Sequence, residues 1–269
     1  MIVSVIVITF GHENYIRRAI EGVLMQKCYF DVELIIADDC SPDSTDDIVN
    51  EIVSSNENKS WIKYTRHLTN KGPVGNFIWS LKQAKGKYVA ICEGDDYWTD
   101  PLKLQKQVDF LESNVDFTMT FHSVEVKNEI EGINYQYPMP KKEVLTFKNI
   151  LFKHFIPTCS LVFIKDALPN PLPSWFNNCK MGDIPLELML ADKGKVKFFN
   201  QKMGVYRKND KSLTQSKEHI EQGRKAYEFL YKSLRSHFGC KYFLLFSILL
   251  IKNRLGYFKD MLGLNSSLK

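Results

Sequence analysis

The chain has 269 residues, 44% hydrophobic and 13% aromatic, enough for one large domain or one domain with a small appendage. Its six cysteines (28, 40, 92, 159, 179 and 240) are scattered without a CxxC pair, which argues against a zinc site or a disulfide framework and for reduced thiols. Within the net charge of +5, residues 193–269 hold 17 Lys/Arg against 5 Asp/Glu and the rest 19 against 26, so a basic C-terminal third points to an anionic or phosphate-bearing partner, or to a plain lysine-rich face.

Ile2–Thr9 (IVSVIVIT) is apolar and β-branched almost throughout, as a strand buried on both faces requires. It has no basic n-region and no small-residue cleavage site, so a cytoplasmic chain without a secretory signal is expected. Asn14 is the expected N-cap of a helix over Tyr15–Met25, where Ile16, Ala19, Ile20, Val23 and Leu24 recur at helical spacing. Val32–Ala37 reads as a second buried strand ending at Asp38-Asp39, Ser41–Thr45 as turn and capping chemistry, and Asp46–Ser54 as a helix. Trp61–Arg66 follows as a strand, Asn76–Ala84 as a helix and Lys87–Cys92 as a fourth strand. Strands alternating with helices predict a parallel, helix-covered sheet, in which ligands bind beyond the carboxyl ends of the strands. Thr9, Asp38, Asp39, Asp95 and Asp96 all fall there, and polar residues closing three separate strands are poorly explained by packing.

After Pro101 the pattern predicts a helix over Leu102–Leu111, a strand over Phe117–His122, a polar loop over 127–142, and a helix over Phe147–Phe152. Cys159–Ile164 reads as a strand, 168–181 as an irregular proline-bearing loop, and Ile184–Ala191 as a helix preceded by Gly182-Asp183. Strands over Lys195–Asn200 and Gly204–Arg207, a mobile polar stretch over 208–216 and helical pattern over 217–260 complete the chain. No internal repeat, low-complexity stretch or nucleic-acid module is present.

The most informative feature is Asp95-Asp96, directly after the apolar run Tyr88–Cys92. Adjacent carboxylates at such a place repel unless a cation or donor group neutralises them. Hard oxygen ligands of this kind suit Mg²⁺ or Mn²⁺, which bind through one or two carboxylates plus substrate phosphates. The pair therefore suggests a metal-held diphosphate and a nucleotide-activated substrate; a solvated acidic turn is the plain alternative.

The order and spacing of several pieces carry a resemblance. They are Val3–Phe10, Tyr15-Ile16, Gln26, Glu33–Ser41 with Asp43-Ser44-Thr45, Asn70-Lys71-Gly72, Asn76, Ala84–Val89 and Glu93-Gly94-Asp95-Asp96. Together they resemble the inverting GT-A glycosyltransferases of family 2, bacterial enzymes that build capsule, O-antigen and similar polysaccharides. The likeness is strong over residues 1–125 and looser over 155–216. It implies an α/β GT-A fold, Rossmann-like, with a mostly parallel central sheet and helices on both faces. The implied division is a catalytic domain over 1–216 (nucleotide-sugar binding over 1–125, the acceptor side over 126–216) and a C-terminal helical extension over 217–269.

The resemblance also implies roles. Thr9 and Phe10 would line the nucleoside pocket. Asp39, or its neighbour Asp38, would accept from uracil N3–H, a contact that rejects cytosine because its N3 is an acceptor. Asn70, Lys71 and Gly72 would approach the uridine, and Asn76 belongs to the same donor set. Asp96 would coordinate Mn²⁺ or Mg²⁺, with Asp95 on the metal or the donor sugar; Glu93-Gly94-Asp95 is a second reading of that motif. The metal would act as Lewis acid toward the departing diphosphate. Asp183 sits where the family places its general base, Glu187 is the runner-up one turn later, and a simple helix N-cap is the alternative for Asp183. Arg207, after Tyr206, resembles a late Tyr-Arg element near the diphosphate. No His follows until His219, so Arg207, Lys208 and Lys211 would neutralise the diphosphate without a third protein ligand to the metal.

The implied reaction moves a sugar from a UDP-sugar donor to a hydroxyl of a saccharide acceptor, carried on a polyprenyl diphosphate at the cytoplasmic face of the membrane. Residues 242–251 (YFLLFSILLI), flanked by Lys241, Lys252 and Arg254, are too short to cross a bilayer, which takes about 20 residues. They suit peripheral membrane contact over 241–254, a helix packed on the catalytic domain, or a homodimer interface. Two rivals stand beside this reading. A sugar-nucleotide nucleotidyltransferase would open with a glycine-rich basic loop, whereas Thr9–Asn14 holds one Gly and no Lys or Arg. A non-catalytic relative that binds sugar nucleotides or glycans is disfavoured by the intact set Asp39, Asp95, Asp96 and Asp183.

Overall fold

Burial on both sides explains the residues of β1 (Ile2–Thr9): Val3, Val5 and Val7 enter one apolar cluster, while Ser4 and Ile6 are fully buried on the opposite face. In a computed structural model, residues 2–153, 155–209 and 218–261 are described, the last stretch with side chains over 223–255. The elements that follow β1 are α1 (Ile16–Leu24), β2 (Asp31–Asp38), α2 (Thr45–Ser55), β3 (Ile62–Arg66), α3 (Gly72–Gln83) and β4 (Tyr88–Ile91). Next come β5 (Tyr97–Trp98), α4 (Lys103–Ser113), β6 (Phe117–Asn128), β7 (Ile133–Gln136), β8 (Val144–Leu145), α5 (Phe147–Phe152) and β9 (Val162–Ile164). The chain continues through α6 (Asp183–Lys193), β10 (Lys195–Lys208), α7 (Glu218–Phe238) and α8 (Phe243–Met261).

One sheet runs in the order β3-β2-β1-β4-β9-β6-β10-β5, with β7 on β6 and β8 on β10. Its first four strands are parallel, as the alternating pattern predicts, and their register sets the site. Thr9 lies opposite Asp38 and Asp38 opposite Arg66, so three strands end at one level. β4 pairs with β1 only to Ile91, but Cys92 N–H and Gly94 N–H still donate to the carbonyls of Ile6 and Ile8, which brings the following loop to the same edge. The strand order reverses between β1 and β4, the kind of switch point at which open α/β sheets bind ligands. The cluster around Val3, Val5 and Val7 is built from α1, α2 and α4 residues such as Ile16, Ile20, Val49, Leu104 and Val108, while α3 packs on β1 and β2.

The other half of the sheet differs from the expected pattern. β9 is antiparallel to both β4 and β6, and β10 pairs parallel with β6 but antiparallel with β5 and β8. The polar stretch read as a loop over 127–142 contains the end of β6 and the hairpin strand β7, whose pairing is independent of apolar alternation. The two strands expected over 195–200 and 204–207 are one, β10, carried across Gln201–Met203 by register shifts against β6. Asn14 does not cap α1: Tyr15 holds the cap position without a side-chain bond, and the His12 carbonyl accepts the N–H groups of Tyr15 and Ile16.

The chain divides into two units: Met1–Leu172 with Leu186–Asp210, and Pro173–Pro185 with Lys211–Lys269. In the second, the helical pattern over 217–260 resolves into α7 and α8 as a hairpin, turned at Gly239 (φ +56°). Phe238 stacks on Phe246 at 5.9 Å, and Asn253 Nδ2 donates to the Arg224 carbonyl at 3.0 Å. Residues 210–217, including Lys211 and most of the stretch expected to be mobile, lie outside the described residues, as does the side chain of His219.

Candidate active site

The β1–α1 loop is anchored by its backbone. Gly11 N–H donates to Ser41 Oγ at 3.0 Å, His12 N–H to Thr45 Oγ1 at 3.0 Å, and Glu13 N–H to Asp43 Oδ2 at 3.2 Å. The Ser41–Thr45 stretch, read in the sequence as turn chemistry, thus holds the neighbouring loop. Thr9 is buried with Oγ1 3.1 Å from His12 Nδ1, and Phe10 beside it is exposed. Gly94 closes the approach from β4: a Cβ there would stand 2.7 Å from both His12 Nδ1 and Thr9 Oγ1.

The two aspartates ending β2 separate by their partners. Asp38 is fully buried; its Oδ1 accepts from Ser41 N–H at 2.8 Å, and its Oδ2 lies 3.1 Å from the Tyr64 hydroxyl and 3.8 Å from Arg66 Nε. Tyr64 also reaches Asp46 at 2.6 Å; burial, reinforced by these carboxylates, pushes its hydroxyl well above the usual phenol range. Both oxygens of the Asp38 carboxylate are thus engaged within the protein. Asp39 follows Thr9, donating its N–H to the Thr9 carbonyl at 2.9 Å, and its Oδ1 accepts from Lys71 N–H at 2.7 Å. Asn70 Nδ2 donates to the Asp39 carbonyl at 3.1 Å, so Asp39, Asn70 and Lys71 form one cluster, with the Lys71 side chain exposed. Cys40 turns the chain here at φ +64°, a conformation that non-glycine residues adopt at a cost. Asn76 is buried just beneath this edge, its Nδ2 on the Ala37 carbonyl at 2.8 Å and its Oδ1 3.0 Å from His67 Nε2. Both ends of its amide are engaged, one tying α3 to β2 and the other to His67 just after β3.

The Asp95-Asp96 pair meets the far end of β10. Asp96 is 0% exposed; its Oδ1 accepts from the Arg207 backbone N–H at 2.7 Å and its Oδ2 has no nitrogen or oxygen partner. Burial, then the neighbouring charges of Asp95 and Glu93, drives the Asp96 carboxyl well above the usual range, against the Arg207 amide and the Cys159 thiol, which donate toward it. Arg207 Nη1 donates to the Asp95 carbonyl at 2.6 Å, and Asn209 Nδ2 to Asp95 Oδ2 at 3.3 Å. The Arg207 guanidinium lies 4.5 Å over the Tyr97 ring and 5.1 Å over that of Tyr15, with Nε 3.6 Å from Glu129. Tyr15 in turn donates to Glu129 at 3.0 Å.

Among the described residues, no three His, Cys, Asp or Glu converge into a ready cation cage. The donor set present still fits a divalent cation. A buried carboxylate with one orphaned oxygen, beside a second carboxylate, is what Mg²⁺ or Mn²⁺ uses when substrate phosphates complete the shell.

The sequence-predicted residues Thr9, Asp39, Asn70, Lys71, Asp95, Asp96 and Arg207 thus belong to one unit, at the carboxyl edge of β1, β2, β3 and β4 or on β10, which reaches them. Asp183 belongs to the second unit, where it is exposed as the first residue of α6, and its charge adds to partial burial in raising the half-buried Tyr227 hydroxyl. Glu187 is buried. His12, Tyr97, Glu129 and Asn209 were missed by sequence reasoning. Tyr97 and His12 are local neighbours of the Asp pair and of Thr9; Glu129 and Asn209 become neighbours only through strand pairing.

A parallel half-sheet ending in carboxylates at its switch point, continued by a mixed half that returns an arginine to them, defines an α/β domain of the GT-A class. The chain belongs to glycosyl transferase family 2, whose sequence model matches residues 4–168. An uncharacterised protein of Mycobacterium tuberculosis is 35% identical over 207 residues, 77% of this chain and 58% of that protein. The chain therefore spans 58% of the length of that curated relative. The UDP-Glc:alpha-D-GlcNAc-diphosphoundecaprenol beta-1,3-glucosyltransferase WfaP of Escherichia coli is 34% identical over 133 residues, 49% of this chain and 50% of its own. The crystal structure of S. aureus TarS 1-349 in complex with UDP-GlcNAc shares the fold at TM-score 0.63 and 22% identity, over 92% of this chain and 76% of that one.

Proposed function

We propose that the protein is a metal-dependent inverting glycosyltransferase that moves a sugar from a UDP-sugar to a hydroxyl of a saccharide acceptor carried on a polyprenyl diphosphate, in the synthesis of a cell-surface polysaccharide. The observation that carries this reading is the buried Asp96 carboxylate with an orphaned oxygen, set beside Asp95 and covered by Arg207. A divalent cation held by Asp96 and Asp95 would supply Lewis-acid neutralisation of the departing diphosphate. Arg207 adds a fixed guanidinium on the same side, oriented by Tyr15, Tyr97 and Glu129, and suited to bidentate contact with phosphate oxygens.

Asp39 is the base reader in this proposal. Asp38 has its carboxylate engaged by Ser41, Tyr64 and Arg66, whereas only one oxygen of Asp39 is taken, by Lys71 N–H. The remaining oxygen accepts from uracil N3–H, with Thr9, Phe10, Asn70 and Lys71 around the nucleoside. UDP as the donor nucleotide is supported by the donor named for WfaP and the UDP-sugar bound by TarS. A lipid-linked acceptor is supported by the diphosphoundecaprenol named for WfaP.

Asp183 takes the proton of the acceptor hydroxyl as the oxygen attacks the anomeric carbon. The bond from that carbon to the diphosphate breaks with its electron pair on the departing oxygen, and the configuration inverts. Asp183 is preferred to Glu187 because its carboxylate is exposed to an incoming acceptor while that of Glu187 is buried.

Calorimetric titration with UDP, CDP and GDP, in Mn²⁺ and then EDTA, tests the donor site. The expected result is Mn²⁺-dependent binding of UDP, at least about tenfold tighter than CDP, with Asp39→Asn narrowing that ratio. Binding of none of the three refutes the site. An Asp183→Asn variant that binds UDP normally and still transfers sugar at the wild-type rate refutes the base assignment alone.

A further inference from the structure

The second unit presents a surface that the proposed chemistry does not use. One face of α8 is spent on α7: Phe246 and Leu250 are buried, and Asn253 bonds to the Arg224 carbonyl. The opposite face carries Leu244, Ile248, Ile251 and Leu255, which are 71%, 38%, 58% and 57% exposed. Their spacing of four, three and four residues places them on one stripe of an α-helix, about 16 Å long from end to end. Phe243, beside the N-terminal end of the stripe, is 53% exposed with the Arg235 guanidinium 5.0 Å over its ring.

Charge accompanies the stripe. Residues 223–255 contain seven Lys/Arg (224, 225, 232, 235, 241, 252 and 254) and one carboxylate, Glu228. Glu228 is already shared between Lys232 and Arg254, each at 2.9 Å. Lys241 and Lys252 are exposed near the two ends of the stripe. Among the described residues no helix is long and apolar enough to cross a membrane.

We infer that the outer face of α8 docks on an anionic phospholipid bilayer, with the helix in the plane of the interface, Leu244, Ile248, Ile251 and Leu255 in the acyl boundary and Lys241 and Lys252 at the headgroups. An exposed apolar stripe of this length flanked by excess cations matches an interfacial helix in both its terms, apolar burial and attraction to anionic lipid. A second copy of the chain is the poorer occupant: an isologous contact through this face would set two strongly basic hairpins against each other. The inference gives the proposed lipid-linked acceptor a reason to be near the enzyme and rests on that reading only for its purpose.

Co-sedimentation of the full chain with phosphatidylcholine vesicles, with and without phosphatidylglycerol, tests it. Binding is expected with phosphatidylglycerol, weakened about tenfold or more in its absence and weakened by added salt. Ile248→Glu with Ile251→Glu removes binding; Lys241→Glu with Lys252→Glu weakens it and flattens the salt dependence. Both double variants should titrate UDP as the wild type does, which shows that they are folded and separates this test from that of the donor site. Vesicle binding unchanged in both variants overturns the inference. So does a wild-type dimer in sedimentation equilibrium that Ile248→Glu with Ile251→Glu converts to monomer while vesicles capture neither form.

Discussion

Single carboxylates in this protein differ by what their oxygens already hold. Asp38 and Asp39 are adjacent in sequence, yet one is locked by three side-chain and backbone partners and the other keeps a free oxygen beside the Thr9 carbonyl and the Asn70-Lys71 loop. Asp96 is the extreme case, fully buried with one orphaned oxygen. Burying a charge without full compensation is destabilising, so a neutral isostere relieves the fold while removing the ligand. Asp96→Asn is therefore expected to keep or raise Tm, since Asn Oδ1 still accepts from Arg207 N–H, and to abolish Mn²⁺-dependent UDP binding. Thermal melts and the calorimetric titration, run on one preparation, check both halves; a large fall in Tm would make Asp96 a structural residue. Asp95 and Asp96 were legible in the sequence because adjacent acids after an apolar run are unusual. The engagement of Asp38 was not, because Ser41, Tyr64 and Arg66 reach it only through strand pairing and the turn after β2.

Elements place those residues, and glycines show where they touch. The loop after β4 lies so near the β1 end that Gly94 has no room for a methyl group beside Thr9 and His12. Gly94→Ala is expected to push the two loops apart, costing about 1–3 kcal/mol in chemical denaturation and weakening UDP binding with it. At Gly223, inside α7, a methyl group would point into open space. Gly223→Ala should stabilise the hairpin by about 0.5–1 kcal/mol through helix propensity, leaving UDP binding untouched. The parallel half of the sheet was readable from buried β-branched runs alternating with amphipathic helices. The antiparallel half was not. β7 is short, polar and partly exposed, and β10 carries a polar stretch in its middle, so neither announces itself through periodicity. The helix over 217–260 was read as one pattern because a turn at Gly239 changes the backbone without interrupting the apolar spacing.

At the scale of the whole molecule, stability should respond to a lysine outside the proposed chemistry. Lys103 is fully buried, its Nζ 3.7 Å over the Trp98 ring and without a hydrogen-bond partner. Burial pulls its amine down to about 7, offset only in part by the neighbouring Cys92, Cys159 and Cys28. The unfolded amine titrates near 10.4, so between roughly pH 7 and that value the unfolded chain holds a proton that the folded chain has released. Folding stability from this group therefore rises with pH across that window, and below it the fold must carry a buried cation. Lys103→Met, close in shape and uncharged, is expected to raise stability at neutral pH and to flatten the rise toward alkaline pH in urea unfolding. An unchanged slope would show the amine to be solvated in the folded protein. The sequence by itself determined the parallel half of the sheet, the carboxyl edge proposed as the donor site and the acidic residues there, because hydrophobic periodicity and adjacent like charges are local properties of the chain. The tertiary structure alone decided which aspartate keeps a free oxygen, that Arg207 and Asn209 reach the Asp pair more than a hundred residues away, and that α8 turns a clean apolar stripe outward. Each of these depends on which distant segments pair or pack, and no window of the sequence contains both partners.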